Sequence, residues 1–287
     1  LIETVEYSNP EIPEGINYSK EHPLKEFFLL SVGVLGLVFA ALLVLSVLAD
    51  RLAIYIPFSV EQSIAAERFI DPDKNAPVNK YLNDLAARIT RAQQLPKDMT
   101  VTVHYVDDDT VNAFATLGGN ILMFRGLLEK LDNENALTMV LAHEVAHIRH
   151  RHPIRSMGRG VAIGVALSMV SSSLGNAMVD TVLGHAGNIT VLSYSRDQEK
   201  EADETALKTL VKMYGNVEGA TDLFEVLKKQ EKGSLTPEFY SSHPLTDKRL
   251  KRIAEFSKNL GDSADGKKTP LPKGFSTWLS KQEKETK

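Results

Sequence analysis

The sequence contains no cysteine and a single tryptophan among its 287 residues. The first absence excludes disulfide frameworks, thiolate metal sites and cysteine nucleophiles, so any metal must be held by His, Asp or Glu. Positive charge is not in excess either: 33 Lys and Arg stand against 37 Asp and Glu, a net charge of −4. A nucleic-acid-binding domain would show a basic balance or a clustered basic face, so that class of partner is set aside. What the chain does have is 43% hydrophobic and 24% charged residues. That balance rules out a wholly disordered or collagen-like chain and supplies apolar side chains for a real core.

The hydrophobic residues are unevenly spread. From Phe27 to Ala49 no residue is charged, and a helix of that length, rising about 1.5 Å per residue, crosses a hydrocarbon core about 30 Å thick. The expected organisation is an N-terminal extension over 1–26, a transmembrane anchor over 27–49, a main domain over 50–260 and a polar C-terminal tail over 261–287. A cleaved signal peptide ending at Val47-Leu48-Ala49 fits less well. Such leaders open with a short basic region and a shorter apolar stretch, whereas a mostly acidic segment precedes this one. The flanking basic residues, Lys20 and Lys25 against Arg51 and Arg68, give no decisive orientation. The chain begins at Leu1 rather than Met, as a fragment, a processed start or an unusual start codon would leave it.

After the anchor, apolar residues at helical spacing (Ile64 and Phe69, then Leu82, Leu85, Ala86 and Ile89) predict two helices separated by the turn at Asp71-Pro72-Asp73 and Pro77. Val101, Val103 and Tyr105 alternate as in a strand. Ala113 to Phe124, broken at Gly118-Gly119-Asn120, predicts strand, tight turn, strand. Asp132-Asn133-Glu134 offers a start for a helix through about His150, and further helices fit Gln198–Tyr214, Val217–Lys232 and Thr246–Asn259, the first two closed by Gly215 and Gly233. The fold class is therefore α+β, mostly helical, with a small antiparallel sheet. From Gly261 the composition predicts a loosely held tail.

His143-Glu144-Val145-Ala146-His147 lies inside one predicted helix, so its two histidines share a face one turn apart and can share a metal. Glu144 stands about 100° further round, beside the ligands, where a carboxylate can take a proton from water. A catalytic zinc site needs a third protein ligand, leaving one position open. The candidates are His150, His152, His185, Glu199, Glu201, Asp203 and His243. On a straight helix His150 is about 10 Å along from His143, too far for one metal, and His152 points to the opposite face. Glu199 opens a helix whose stripe continues through Ala202, Asp203, Ala206, Leu210 and Met213, at the polar end of a core-facing surface. Asp203, one turn on, is placed to accept from the free nitrogen of a ligating histidine. Glu201 and Glu204, on the other face, read as a solvated acidic helix start.

Taken together, His143-Glu144-x-x-His147 with Arg151-His152, Ser195-Arg196-x-x-Glu199-x-x-Ala202-Asp203, and His243-Pro244 with Arg249 resemble metallopeptidase family 48. That family includes membrane zinc peptidases of the HtpX and CAAX prenyl protease type. The likeness runs from about Ile64 to Phe256 and includes Asn112-Ala113-Phe114-Ala115 and Gly118-Gly119. It implies a zincin-like (gluzincin) catalytic domain, one Zn2+ on His143, His147 and Glu199, and protein or peptide substrates. It also implies that the strand near Gly119 to Met123 offers an edge to which substrate adds in extended form. The single anchor is more like a quality-control branch than the multi-span prenyl proteases, in a membrane, with a bacterial inner membrane and an extracytoplasmic body the favoured location. His243 would stabilise an oxyanion or occupy the open metal position at rest, and Arg249 would orient a glutamate of the site or a substrate carbonyl. The plainer alternative makes His243 a helix cap and Arg249 a surface charge. Gly160–Val179 is also uncharged, but one crossing there would put His143 and Glu199 on opposite sides of the bilayer. Two crossings of about 20 residues do not fit, so a helical hairpin over the site, in the core or at the membrane surface is expected. The rival functional class is a metal-stabilised, membrane-anchored binding or chaperone-like protein without proteolysis.

Overall fold

The computed structural model describes residues 8, 23–66, 76–170, 194–225, 243, 247–259 and 266–280. The chain divides into two compact units, Leu1–Val44 and Leu45–Lys287.

Helix α1 (Pro23–Leu52) opens on a proline, whose missing N–H costs nothing in a first turn. Within the first unit its apolar side chains lie open, with Phe27 71% and Leu37 73% exposed. Among the described residues it is the one helix long and apolar enough to cross a membrane.

The second unit continues through a 3-10 turn (Ala53–Tyr55), α2 (Phe58–Ala65) and α3 (Ala76–Gln93) into strands β1 (Thr102–Val106), β2 (Ala113–Ala115) and β3 (Asn120–Phe124). There follow α4 (Arg125–Leu128), α5 (Glu134–Arg149), α6 (His152–Val170), α7 (Arg196–Tyr214), α8 (Asp247–Asn259) and α9 (Phe275–Ser280). Helix α3 buries Val78, Leu82, Leu85, Ala86 and Ile89, the three- and four-residue spacing of one face. Helix α5 is the core element: every residue from Glu134 to Ile148 is buried, and its N-cap Asn133 accepts from the Ala136 amide at 2.8 Å.

The sheet is mixed rather than purely antiparallel. Its order is β1-β3-β2, with β1 parallel and β2 antiparallel to β3. The turn between β2 and β3 uses Gly118 and Gly119 at φ +69° and +80°, a left-handed region that side-chain-bearing residues rarely enter. A Cβ on Gly119 would fall 1.9 Å from the Thr100 carbonyl oxygen. Because β3 is paired on both sides, the edge expected at Gly119 to Met123 is not free. Among the described residues β2 is the edge strand on the side of α5.

Two further differences stand out. Part of the expected loose tail is docked: Phe275 and Leu279 are buried, Glu134 donates its amide to the Thr269 carbonyl at 2.8 Å, and Lys268 pairs with Asp222 at 2.8 Å. The few apolar residues there, at one-turn spacing, suffice to seat it. The helix expected over 217–232 is described only to residue 225, where Val217, Ala220, Leu223 and Phe224 are buried. Its remainder, and residues 171–193 of the expected hairpin, lie outside the described residues.

Candidate metal centre

Helices α5 and α7 lie against each other and supply most of the site. The α5 histidines, one turn apart, bring their Nε2 atoms to 3.0 Å from each other. Helix α7 begins in a capping box, with Ser195 and Gln198 exchanging side-chain and backbone hydrogen bonds, which satisfies two amides the first turn leaves open. That start sets Glu199 in the first turn, Oε2 3.5 Å from His143 Nε2 and Oε1 3.3 Å from His147 Nε2. His243 enters from a separate segment, Nδ1 3.0 Å from Glu199 Oε1 and 3.2 Å from His143 Nε2, and its Nε2 is 3.4 Å from Glu144 Oε1. The four donors of His143, His147, Glu199 and His243 lie within 4.8 Å of one another, and all four residues are buried.

Asp203 and Arg249 back this group. Asp203 Oδ1 is 3.0 Å from His143 Nδ1, and Arg249 grips Asp203 through Nε and Nη2 at 2.8 and 2.7 Å while its Nη1 meets Glu199 Oε2 at 2.6 Å. Burial opposes ionisation of Asp203, but Arg249 and His143 outweigh it and hold the carboxyl down to about 2. Arg249 is only 3% exposed, so the surface-charge reading gives way to a buried clamp.

Whether these groups suit a metal follows from proton placement. A carboxylate only accepts, so His143 must place a proton on Nδ1, facing Asp203. In the neutral ring Nε2 then carries a lone pair aimed at Glu199 and His147, an arrangement of facing acceptors that calls for a positive charge between them. The acids make the same demand in another way: burial resists protonation of His143, yet Glu199 and Asp203 raise it to about 9. Two nitrogens and one carboxylate oxygen, with another nitrogen in reach, is a donor set for zinc.

Glu144 stands beside the donors, its Oε2 accepting from the Ala115 amide of β2 at 2.7 Å. Its Oε1 accepts no hydrogen bond among the described residues. Burial raises this carboxyl above the ordinary 4.5, with His243 and His143 opposing.

Tyr194, which no sequence pattern singled out, stacks on the His147 ring with centroids 3.8 Å apart and donates to the Ala115 carbonyl at 3.0 Å. Its adjacency to the Ser195-Arg196 pair was the available signal. His152, placed on the opposite face by straight-helix reasoning, instead lies with Nδ1 2.8 Å from His147 Nδ1. His150 and Glu201 pair with each other at 3.1 Å, away from the four converging donors. His104 joins β1 to Asn120 at 2.9 Å, and His22 and His185 lie outside the described residues.

Comparison with known proteins matches residues 73–257 to peptidase family M48. The chain is 30% identical over 186 residues to the beta-barrel assembly-enhancing protease of Yersinia pestis, covering 60% of this chain and 37% of that protein. It is 30% identical over 184 residues to the mitochondrial metalloendopeptidase OMA1 of Schizosaccharomyces pombe, 63% and 53% of the two lengths. The metalloprotease YcaL of Escherichia coli K12 is 30% identical over 154 residues, 53% and 59%. The chain thus spans little more than a third of the first relative and somewhat over half of the others. With close to two thirds of its length matched and the motif residues gathered in one buried centre, the chain belongs to peptidase family M48.

Proposed function

We propose that the chain is a membrane-anchored zinc metalloendopeptidase that hydrolyses peptide bonds in protein substrates. The convergence of His143 Nε2, His147 Nε2 and Glu199 around one point, with Glu144 beside it, carries this reading. Bound zinc supplies Lewis-acid polarisation of water and of the scissile carbonyl. The protein supplies the rest. Asp203 fixes the His143 tautomer, and Arg249 holds Asp203 and Glu199 in place. Glu144, pinned at Oε2 by the Ala115 amide, keeps Oε1 for the attacking water, takes its proton and returns it to the leaving amine. Burial raises the Glu144 pKa above the ordinary 4.5, the direction that suits a group that must both accept and release that proton.

Substrate alignment falls to β2. Hydrogen bonds from Thr116 to Asn120 and from Phe124 to Asn112 face β3, so strand alternation turns the backbone of Ala113 and Ala115 outward. Ala115 is engaged by Glu144 and Tyr194, so the outward-facing carbonyl of Ala113, itself buried, is the β2 group with which an extended peptide would pair once it is uncovered. His243 acts as a displaceable fourth donor that closes the centre at rest and swings toward the oxyanion when substrate enters, supported by its Nδ1 facing the other donors. The length and apolar exposure of α1 support a single-pass anchor. The relatives' names, one a protease that enhances beta-barrel assembly and one a mitochondrial metalloendopeptidase, support a role in membrane or envelope protein quality control.

The test is cleavage of unfolded casein by the purified full chain in detergent. Activity should disappear with a zinc chelator and return with added zinc. Absence of cleavage with zinc bound would favour the rival binding-protein reading.

A further inference from the structure

The buried His147 ring makes a second contact that the site described so far does not use. Helix α5 ends at Arg149, His150 forms its C-cap, and Arg151 adopts φ +60° before α6 starts at His152. Residues other than glycine rarely enter this left-handed region. Here the turn is held by Arg151 Nε on Glu61 Oε1 at 2.8 Å and Nη2 on the Ile56 carbonyl at 2.6 Å. The reversal has a definite product. On a continued helix, position 152 would lie about 140° round from 147. The break folds His152 back beneath His147, fully buried, with the two Nδ1 atoms 2.8 Å apart.

Proton placement then runs one way. If His147 uses Nε2 toward the metal, its ring proton is on Nδ1 and is donated to His152 Nδ1. His152 accepts there and so carries its own proton on Nε2, which is 3.2 Å from Glu201 Oε2. The other oxygen, Glu201 Oε1, lies 3.1 Å from His150 Nδ1. His150 Nε2 meets Thr205 Oγ1 at 3.0 Å. Both ring nitrogens of His152 are thereby used, in a chain that leads from the buried ligand to a half-exposed carboxylate. Asp203 is the corresponding carboxylate for His143, reached directly; His147 reaches its carboxylate through an intervening imidazole.

We propose that His152 and Glu201 are positioning residues for His147. They fix its Nδ1–H tautomer and ring orientation, and raise the basicity of its Nε2 toward the metal. This rests on the zinc reading above, and on the general behaviour of carboxylates behind ligating histidines, whose loss weakens metal binding about 10- to 100-fold.

The experiment measures zinc affinity by chelator competition, and the visible spectrum of the cobalt(II) form, for the full chain and three variants. His152→Leu keeps the bulk and removes both polar atoms. His152→Asn offers an oxygen to His147 and an amide N–H to Glu201. Glu201→Gln changes a half-exposed side chain and should fold even if His152→Leu does not. The expected result is zinc binding about 10-fold or more weaker in His152→Leu, most of it recovered in His152→Asn. Glu201→Gln should be weakened in the same direction, and the cobalt band should shift in His152→Leu and Glu201→Gln. The inference is overturned if Glu201→Gln and the folded His152 variants compete and absorb as wild type, or if His152→Asn is as weak as His152→Leu. Failure of the wild type itself to bind zinc would instead overturn the functional reading.

Discussion

Among the described residues Arg249 is the one cation gripping both Glu199 and Asp203 through short contacts, so replacing it with methionine is a direct test of how the centre is held. Three contacts of 2.6 to 2.8 Å disappear, leaving Glu199 without its guanidinium and Asp203 with only the longer guanidinium contact, to Arg252 at 3.7 Å. Breaking a buried ion pair from one side costs about 3–5 kcal/mol. A partial check comes from Asp203 alone. Its carboxyl is drawn from the ordinary 3.8 to about 2, which at about 1.4 kcal/mol per unit is worth about 2 kcal/mol. That figure is the net of burial, which opposes it, and of Arg249 and His143 acting together, so it shows only that the clamp more than offsets the burial of this carboxylate. Since the folded value lies below the unfolded one, this contribution is complete above pH 3.8 and is lost only as the pH falls through about 2. The deficit should therefore be constant between pH 5 and 8. Urea unfolding in detergent with chelator present, followed by circular dichroism, should show Arg249→Met less stable by about 3–5 kcal/mol. Arg249→Lys, which keeps the charge but not the fork, should lose roughly half as much. Zinc should recover part of the deficit, because a divalent cation neutralises the same carboxylates. A loss below about 1 kcal/mol, the range of exposed pairs, would refute the clamp.

Other perturbations probe the frame. Burial pushes the Glu134 carboxyl up, but hydrogen bonds from Tyr214, Tyr81 and Arg88 hold it below the ordinary 4.5. Glu134→Gln should therefore be destabilised by about 1.5–3 kcal/mol above that pH, with the difference shrinking as the pH falls through the folded-state value; a pH-independent deficit would contradict this. Gly119→Ala, with its Cβ 1.9 Å from a carbonyl oxygen, should lose about 3 kcal/mol or more in urea unfolding. Gly160→Ala, helical and with nothing within 4 Å, should be neutral or gain about 0.5–1 kcal/mol. Ending the chain before Gly266 removes buried Phe275 and Leu279 and should cost about 3–6 kcal/mol by their burial alone, read as a lower urea midpoint.

What was legible in the sequence was governed by local periodicity. Four-residue spacing put His143 and His147 on one face, and the α7 stripe brought Glu199 and Asp203 together because both helices are regular there. Periodicity failed where regularity ended. Straight-helix spacing puts His152 on the far face because the left-handed Arg151 leaves no mark in the hydrophobic pattern, and its holders, Glu61 and the Ile56 carbonyl, lie about ninety residues upstream. The order of the sheet was likewise hidden. Alternation identifies strands but not neighbours, so the edge was expected at β3 when parallel pairing with β1 closes that side. The docked stretch around Phe275 was missed because its polar composition outweighs a few well-placed apolar side chains.

The central claim is that Glu144 is the proton-transferring base of a zinc peptidase, and its most direct test is the full chain against Glu144→Gln on unfolded casein, with bound metal determined on both. The glutamine keeps an oxygen for the Ala115 amide but cannot take a proton. The expected result is about one zinc per chain in each sample, cleavage by the wild type, and at least a hundredfold loss in the variant. Cleavage at the wild-type rate by zinc-loaded Glu144→Gln would contradict it.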